Sequence, residues 1–147
     1  MSEVDFYDGL YMLYRKVHAL QLRAIADSPY DDLSSSEMLV LRAISEREEA
    51  TMSEIAVLVH VTQGTLTVTV NRLVKKGYVM RIRLESDRRI VKTALTRKGM
   101  GAVREDKHFR AQIQEMVDQQ LGSKSEEILE DIEQLCACMD QHLEISP

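Results

Sequence analysis

Apolar residues recur at Phe6, Leu10, Leu13, Val17, Leu20 and Ala24. That 4-3-4-3-4 spacing predicts an amphipathic helix over residues 6–25 with a seam close to a heptad. Ser28-Pro29 ends it, because proline denies its neighbour the helical region. The run Ser34-Ser35-Ser36-Glu37 predicts a new start, with Ser34 as cap, Glu37 closing a capping box, and a helix to about Glu49. Thr51-Met52-Ser53-Glu54 opens a short helix ending near His60, with Ile55, Ala56, Leu58 and Val59 facing inward. Thr62 caps a helix from Gln63 to about Lys76, and Gly77 follows where a left-handed glycine belongs.

The period then changes. Residues 78–83 and 90–95 read as two strands joined by the polar loop Leu84-Glu85-Ser86-Asp87-Arg88-Arg89. Thr96 caps a long helix with apolar positions Val103, Ile113, Met116, Val117 and Leu121, which Gly122-Ser123 ends. A last helix from Ser125 carries Ile128, Ile132, Leu135, Met139 and Leu143. The expected fold is mainly α with a small β-hairpin wing: a winged helix-turn-helix over residues 34–99 plus helical dimerisation segments at 4–26 and 100–145, all in one domain, 1–147.

Charge sharpens this picture. The whole chain of 147 residues nets −5. Residues 72–104, however, hold eleven bases against Glu85 and Asp87, a local excess of +9, while 1–61 nets −6 and 105–147 nets −8. A positive field concentrated on one segment suits a polyanion, and the phosphate backbone of nucleic acid is the usual one.

The wheel of the 62–76 helix shows where such a polyanion would lie. Leu66, Val70 and Leu73 share the inward face. Gly64, Thr65, Val68, Asn71, Arg72 and Lys75 stand opposite, with Thr67 on the shoulder. Small and hydroxyl-bearing residues precede cations, as base contacts at the helix N-terminus and phosphate contacts beyond it require. Lys and Glu would make a better solvated helix than Thr, Val and Gly. Val68 suits thymine methyl groups, and Gln63 and Asn71 are able to make adenine's bidentate contact. Ser53 and Thr62 are counted with this face. Arg81, Arg83 and Lys92 on the strands join it, as do Arg88 and Arg89 at the tip, which suit a narrow A/T-rich minor groove. Asp87 is expected to hold one arginine by a salt bridge.

The run Asp87-Arg88-Arg89, then five residues, then Leu95-Thr96-Arg97-Lys98-Gly99 resembles the D-x-R-x5-L-T-x-x-G wing signature of the MarR family of winged helix-turn-helix regulators. Leu73-Val74-Lys75-Lys76-Gly77-Tyr78-Val79 is similar to that family's helix-to-wing junction. The resemblance implies a cytoplasmic homodimer on a pseudo-palindromic, A/T-rich duplex, with Arg89 in the minor groove and Asp87 as its partner. Val61-Thr62-Gln63-Gly64-Thr65-Leu66-Thr67 is similar to the FabT-type subgroup. That likeness implies repression of fatty-acid synthesis genes, with long-chain acyl-acyl carrier protein as corepressor.

Effector residues are less legible. Tyr11, Tyr14 and Tyr30, with nearby methionines, suit an adaptable apolar lining or a dimer core, and Arg97, Lys98 and Arg104 suit an acidic carrier. A phenolic or drug-like ligand, a metal or an oxidant are the rival effectors, and a winged helix used for protein contact is the rival of another class. No catalytic set or phosphate loop occurs, so no enzyme is expected, and the histidines show no metal spacing. No cofactor is implied. Cys136 and Cys138 diverge by about 200° on a helix and are expected as buried free thiols. No apolar run approaches the ~20 residues of a membrane span, and the acidic N-terminus is unlike a secretory signal.

Overall fold

Asp5 starts the first helix by accepting the Asp8 backbone N–H at 2.8 Å, and α1 runs Phe6–Ala26. It stops where Ser28 Oγ donates to the Ile25 carbonyl at 2.8 Å and accepts the Tyr30 N–H at 3.1 Å, a side-chain-built turn around Pro29. The structure, a computed structural model, describes residues 4–143. It divides after Ser35 into an N-terminal unit holding α1 and a larger unit holding the rest.

Along α1 the predicted seam lies open: Phe6, Leu10, Leu13 and Leu20 are all exposed in the single chain. Tyr7, Tyr11, Tyr14 and His18 stack in a ladder with ring centroids 6.1, 6.3 and 5.8 Å apart.

The larger unit is ordered α2 (Ser35–Glu46), α3 (Met52–Leu58), α4 (Gln63–Lys75), β1 (Val79–Arg83), β2 (Val91–Leu95), α5 (Arg97–Leu121) and α6 (Lys124–Asp140). Its core is built on Leu41, Ile55, Leu66, Val70, Leu73 and Tyr78, all fully buried. Each of the buried aliphatic side chains contributes about 1.5–3 kcal/mol over an exposed one.

Several boundaries differ from the sequence pattern, for local reasons. The helix α2 ends at Glu46 because Glu49 turns left-handed, φ 65°, while Ala50 tucks inward. Leu58 is exposed, and Val59 takes the inward place, because His60 is itself left-handed at φ 54° and tightens the turn. The Glu37 carboxylate, 4% exposed, reaches across to Lys76 Nζ at 2.8 Å. That ion pair ties the first turn of α2 to the end of α4. A capping box forms at Thr51 and Glu54, with reciprocal bonds of 3.2 and 2.7 Å.

The end of α4 folds as expected. Gly77 adopts φ 83°, its N–H meets the Val74 carbonyl, and the Tyr78 N–H meets that of Leu73, a Schellman closure. The strands pair antiparallel from Val79↔Leu95 to Arg83↔Val91, one residue shorter at each outer start than the sequence suggests.

In α6 no residue is buried, and Ile128, Ile132, Leu135, Met139 and Leu143 lie exposed in the single chain. Cys136 and Cys138 are therefore exposed, against the expectation of buried thiols: the helix that carries them buries none of its residues in the single chain. Of the expected dimerisation segment 100–145, positions 144 and 145 lie outside the described residues. Among the described residues, no helix is long and apolar enough to cross a membrane.

Candidate nucleic-acid interface

Thr62 sets the start of α4. Its Oγ1 accepts the Thr65 N–H at 3.1 Å and donates to Thr65 Oγ1 at 3.0 Å. Thr67 Oγ1 donates back to the Gln63 carbonyl at 2.8 Å. The protons of Thr62 and Thr67 are thus committed, leaving methyl groups and acceptor lone pairs for the outer face. Leu66, Val70 and Leu73 point into the core with no exposure, so Gly64, Thr65, Val68, Asn71, Arg72 and Lys75 are left on the outside, as the wheel predicts. Val68 is 50% exposed.

Two amides on this face are not idle. Gln63 Nε2 donates to Ser53 Oγ, linking α4 to α3. Asn71 Oδ1 accepts from Arg81, linking α4 to β1. Sequence reasoning gave Asn71 and Arg81 separate tasks; the structure brings them together.

The wing loop turns on Asp87. Its Oδ1 accepts the Arg89 backbone N–H at 3.0 Å, and its carbonyl accepts the Ile90 N–H at 3.1 Å. The expected salt bridge from Asp87 to an arginine is not formed among the described residues. The carboxylate instead fixes backbone, and both Arg88 and Arg89 extend exposed from a defined tip. An aspartate two residues before a backbone N–H builds this turn on its own, which explains the preference.

Lys92 also departs from its expected place. It is 20% exposed and sits 3.3 Å from Glu49 Oε2, turned toward the end of α2. Arg72, Lys75, Arg83, Arg88 and Arg89 have no acidic partner among the described residues and supply the outward positive field.

At the wing's base, Thr96 Oγ1 donates to the Gly77 carbonyl at 2.6 Å and accepts the Gly99 N–H at 3.1 Å. A Cβ at Gly99 would lie 2.2 Å from the Tyr78 carbonyl oxygen. Lys98 Nζ lies 4.2 Å over the Tyr78 ring and donates to the Lys76 carbonyl at 2.9 Å, closing the end of α4.

A sequence model of the MarR family matches residues 33–91. FabT from Streptococcus pneumoniae, solved in complex with DNA, shares 29% identity and a TM-score of 0.78, covering 95% of this chain and 96% of that one. The likeness to the MarR family thus falls on the winged helix-turn-helix, and the FabT structure extends the likeness of fold to nearly the whole chain. Among curated relatives, an uncharacterised HTH-type transcriptional regulator of Bacillus subtilis, YpoP, is 32% identical over 59% of this chain. The HTH-type transcriptional regulator SarZ of Staphylococcus haemolyticus is 35% identical over 47% of it. These matches span 62% and 47% of the relatives' own lengths, less than two thirds.

The MarR wing motif now has a physical account: Asp87 builds the tip turn, Thr96 caps α5, and Gly99 admits the Tyr78 carbonyl. The effector candidates fare unevenly. Tyr11 and Tyr14 share the α1 ladder, Tyr30 is half-buried after it, and Arg97 and Arg104 are exposed on α5. Lys98 is engaged with Tyr78. Sequence reasoning missed an open groove of about 400 Å³ in the larger unit, lined by Ile44, Ile82, Leu84, Ala94, Leu95 and Met100, with Lys92 and Glu49 among its polar lining. Its residues come from the end of α2, both strands and the start of α5, so no single stretch of sequence signals it. No group of three or more metal-ligating side chains converges among the described residues.

Proposed function

We propose that this protein is a homodimeric, sequence-specific DNA-binding transcriptional regulator. The observation that carries this is the shared outward aspect of α4 and the wing: a helix with small, methyl and amide groups outside, flanked by five cations without acidic partners. The helix suits a major groove and the Arg88–Arg89 tip a neighbouring minor groove. The protein-contact reading expects mixed charge on that surface instead. The dimer is supported by the open apolar seams of α1 and α6, which a solvated monomer would leave in water. Retention of genomic fragments, followed by competition with scrambled duplex at fixed salt, tests this reading.

The finer reading is a repressor of fatty-acid biosynthesis genes with long-chain acyl-acyl carrier protein as corepressor. The FabT-like run from Val61 to Thr67 supports it, together with the tyrosine-rich α1 and the exposed Arg97 and Arg104. Corepression requires the acyl chain to bind the DNA-competent geometry more tightly than any other. Titrating acyl carrier protein against operator affinity tests this directly. A second reading, release from DNA by a phenolic or drug-like ligand, is favoured by the apolar groove beside the wing: a ligand parting Lys92 from Glu49 would free β2 to shift.

A further inference from the structure

Gly64, Val68, Asn71 and Lys75 form one outward stripe of α4, so Asn71 stands among the groups that a groove would meet. Its carboxamide has two arms, a carbonyl that only accepts and an amino group that only donates. The carbonyl arm faces Arg81 of β1. A guanidinium carries donors and no acceptor, so turning the amide over would set amino group against cation. The orientation of Asn71 is therefore forced by the chemistry of its neighbour. Gln63 makes the contrast plain. Its partner, Ser53 Oγ, is a hydroxyl that both donates and accepts, so that amide is able to invert by exchanging roles.

We infer that Arg81 locks Asn71 as a hydrogen-bond donor toward the major groove, making Asn71 a specificity-determining residue that rejects cytosine. In that groove guanine offers N7 and O6, adenine N7 and thymine O4, all acceptors for Asn71 Nδ2. Cytosine offers only its N4 amino group, which would meet the asparagine donor head-on. Arg81 acts as the positioning residue. One of its N–H donors is committed to the amide, so the wing and the reading helix report one base together. This inference rests on the DNA-binding reading above and deepens it.

Selection from a duplex pool with randomised half-sites, at fixed salt and with the full chain, tests the lock. The wild type should deplete cytosine at one position in each half-site. Asn71→Ala should erase that depletion there and leave other positions as they were. Arg81→Met frees the amide and should admit cytosine at the same position, by roughly tenfold relative to wild type. Arg81→Lys, which still only donates, should keep the exclusion, and Asn71→Asp should turn the preference toward cytosine or adenine. All four changes fall on exposed side chains, and equal melting temperatures would establish that the fold is kept. An Arg81→Met profile identical to wild type at the Asn71-sensitive position overturns the lock while leaving DNA binding intact. A wild type that enriches no sequence overturns the DNA-binding reading itself.

Discussion

Gly99 lies against the carbonyl of Tyr78 so closely that a Cβ there would stand 2.2 Å from the oxygen. The contact is backbone to backbone, so neither side has a flexible atom to give way. Gly99→Ala should destabilise the fold by about 1–3 kcal/mol, the usual cost of overpacking. Thermal unfolding at matched protein concentration checks this, since a dimer's melting point depends on concentration. An unchanged melting temperature would mean that α5 can slide from Tyr78 freely.

The buried pair Glu37–Lys76 predicts an asymmetry. Glu37 is 4% exposed, whereas the Lys76 side chain is 31% exposed. Lys76→Met removes the ammonium that faces a buried carboxylate and should cost about 3 kcal/mol. Glu37→Gln leaves a lysine that reaches water and should cost clearly less. Denaturant unfolding of the two variants separates them, and equal losses would contradict the account.

Much of the fold was legible in the sequence, because helix starts, the Gly77 closure and the α4 wheel are local matters. Thr51, Thr62 and Thr96 each cap as their spacing suggests. What escaped depends on residues distant in sequence or on backbone choice. The left-handed turns at Glu49 and His60 have no glycine to announce them. Asn71 with Arg81, Lys92 with Glu49 and Lys98 with Tyr78 are tertiary pairings, and each altered the task assigned to a candidate residue. The cysteines lie on a helix whose apolar positions are expected to meet a partner chain, so the sequence pattern does not translate into burial within the single chain.

Lys92 provides a direct test of that revision. Its charge is already matched by Glu49, so Lys92→Ala should change the salt dependence of DNA binding little. Lys75→Ala removes an unpaired outward cation and should lower the logarithmic salt slope by about one. Equal slopes for both variants would show that Lys92 leaves Glu49 to reach phosphate.

Arg89→Ala should cost about 1–3 kcal/mol of operator affinity, the worth of one well-formed groove contact. Asp87→Ala leaves the guanidinium in place but removes the carboxylate that holds its backbone N–H. It should lose part of the same specificity while non-specific binding is unchanged. Competition titrations against scrambled duplex measure both, and an Asp87→Ala variant that binds its operator as wild type does would remove the tip turn from the account.

For the corepressor, Arg104→Glu should weaken the effect of long-chain acyl carrier protein more than it weakens DNA binding alone, because Arg104 is exposed on α5 and belongs to neither α4 nor the wing. Operator titrations with and without the acylated carrier report the difference. No response of the wild type to the carrier, with release by a phenolic ligand, would favour the groove beside the wing.

The central claim, a dimer that reads DNA through α4 and the wing, is tested most directly by sedimentation of the protein with a labelled duplex retained from its own genome. The account predicts two chains of 16.8 kDa on one duplex bearing two half-sites. Those half-sites should lie about 10–10.5 bp apart, with binding roughly a thousandfold or more tighter than to scrambled sequence. A single chain that binds specific and scrambled duplexes with equal affinity would contradict it.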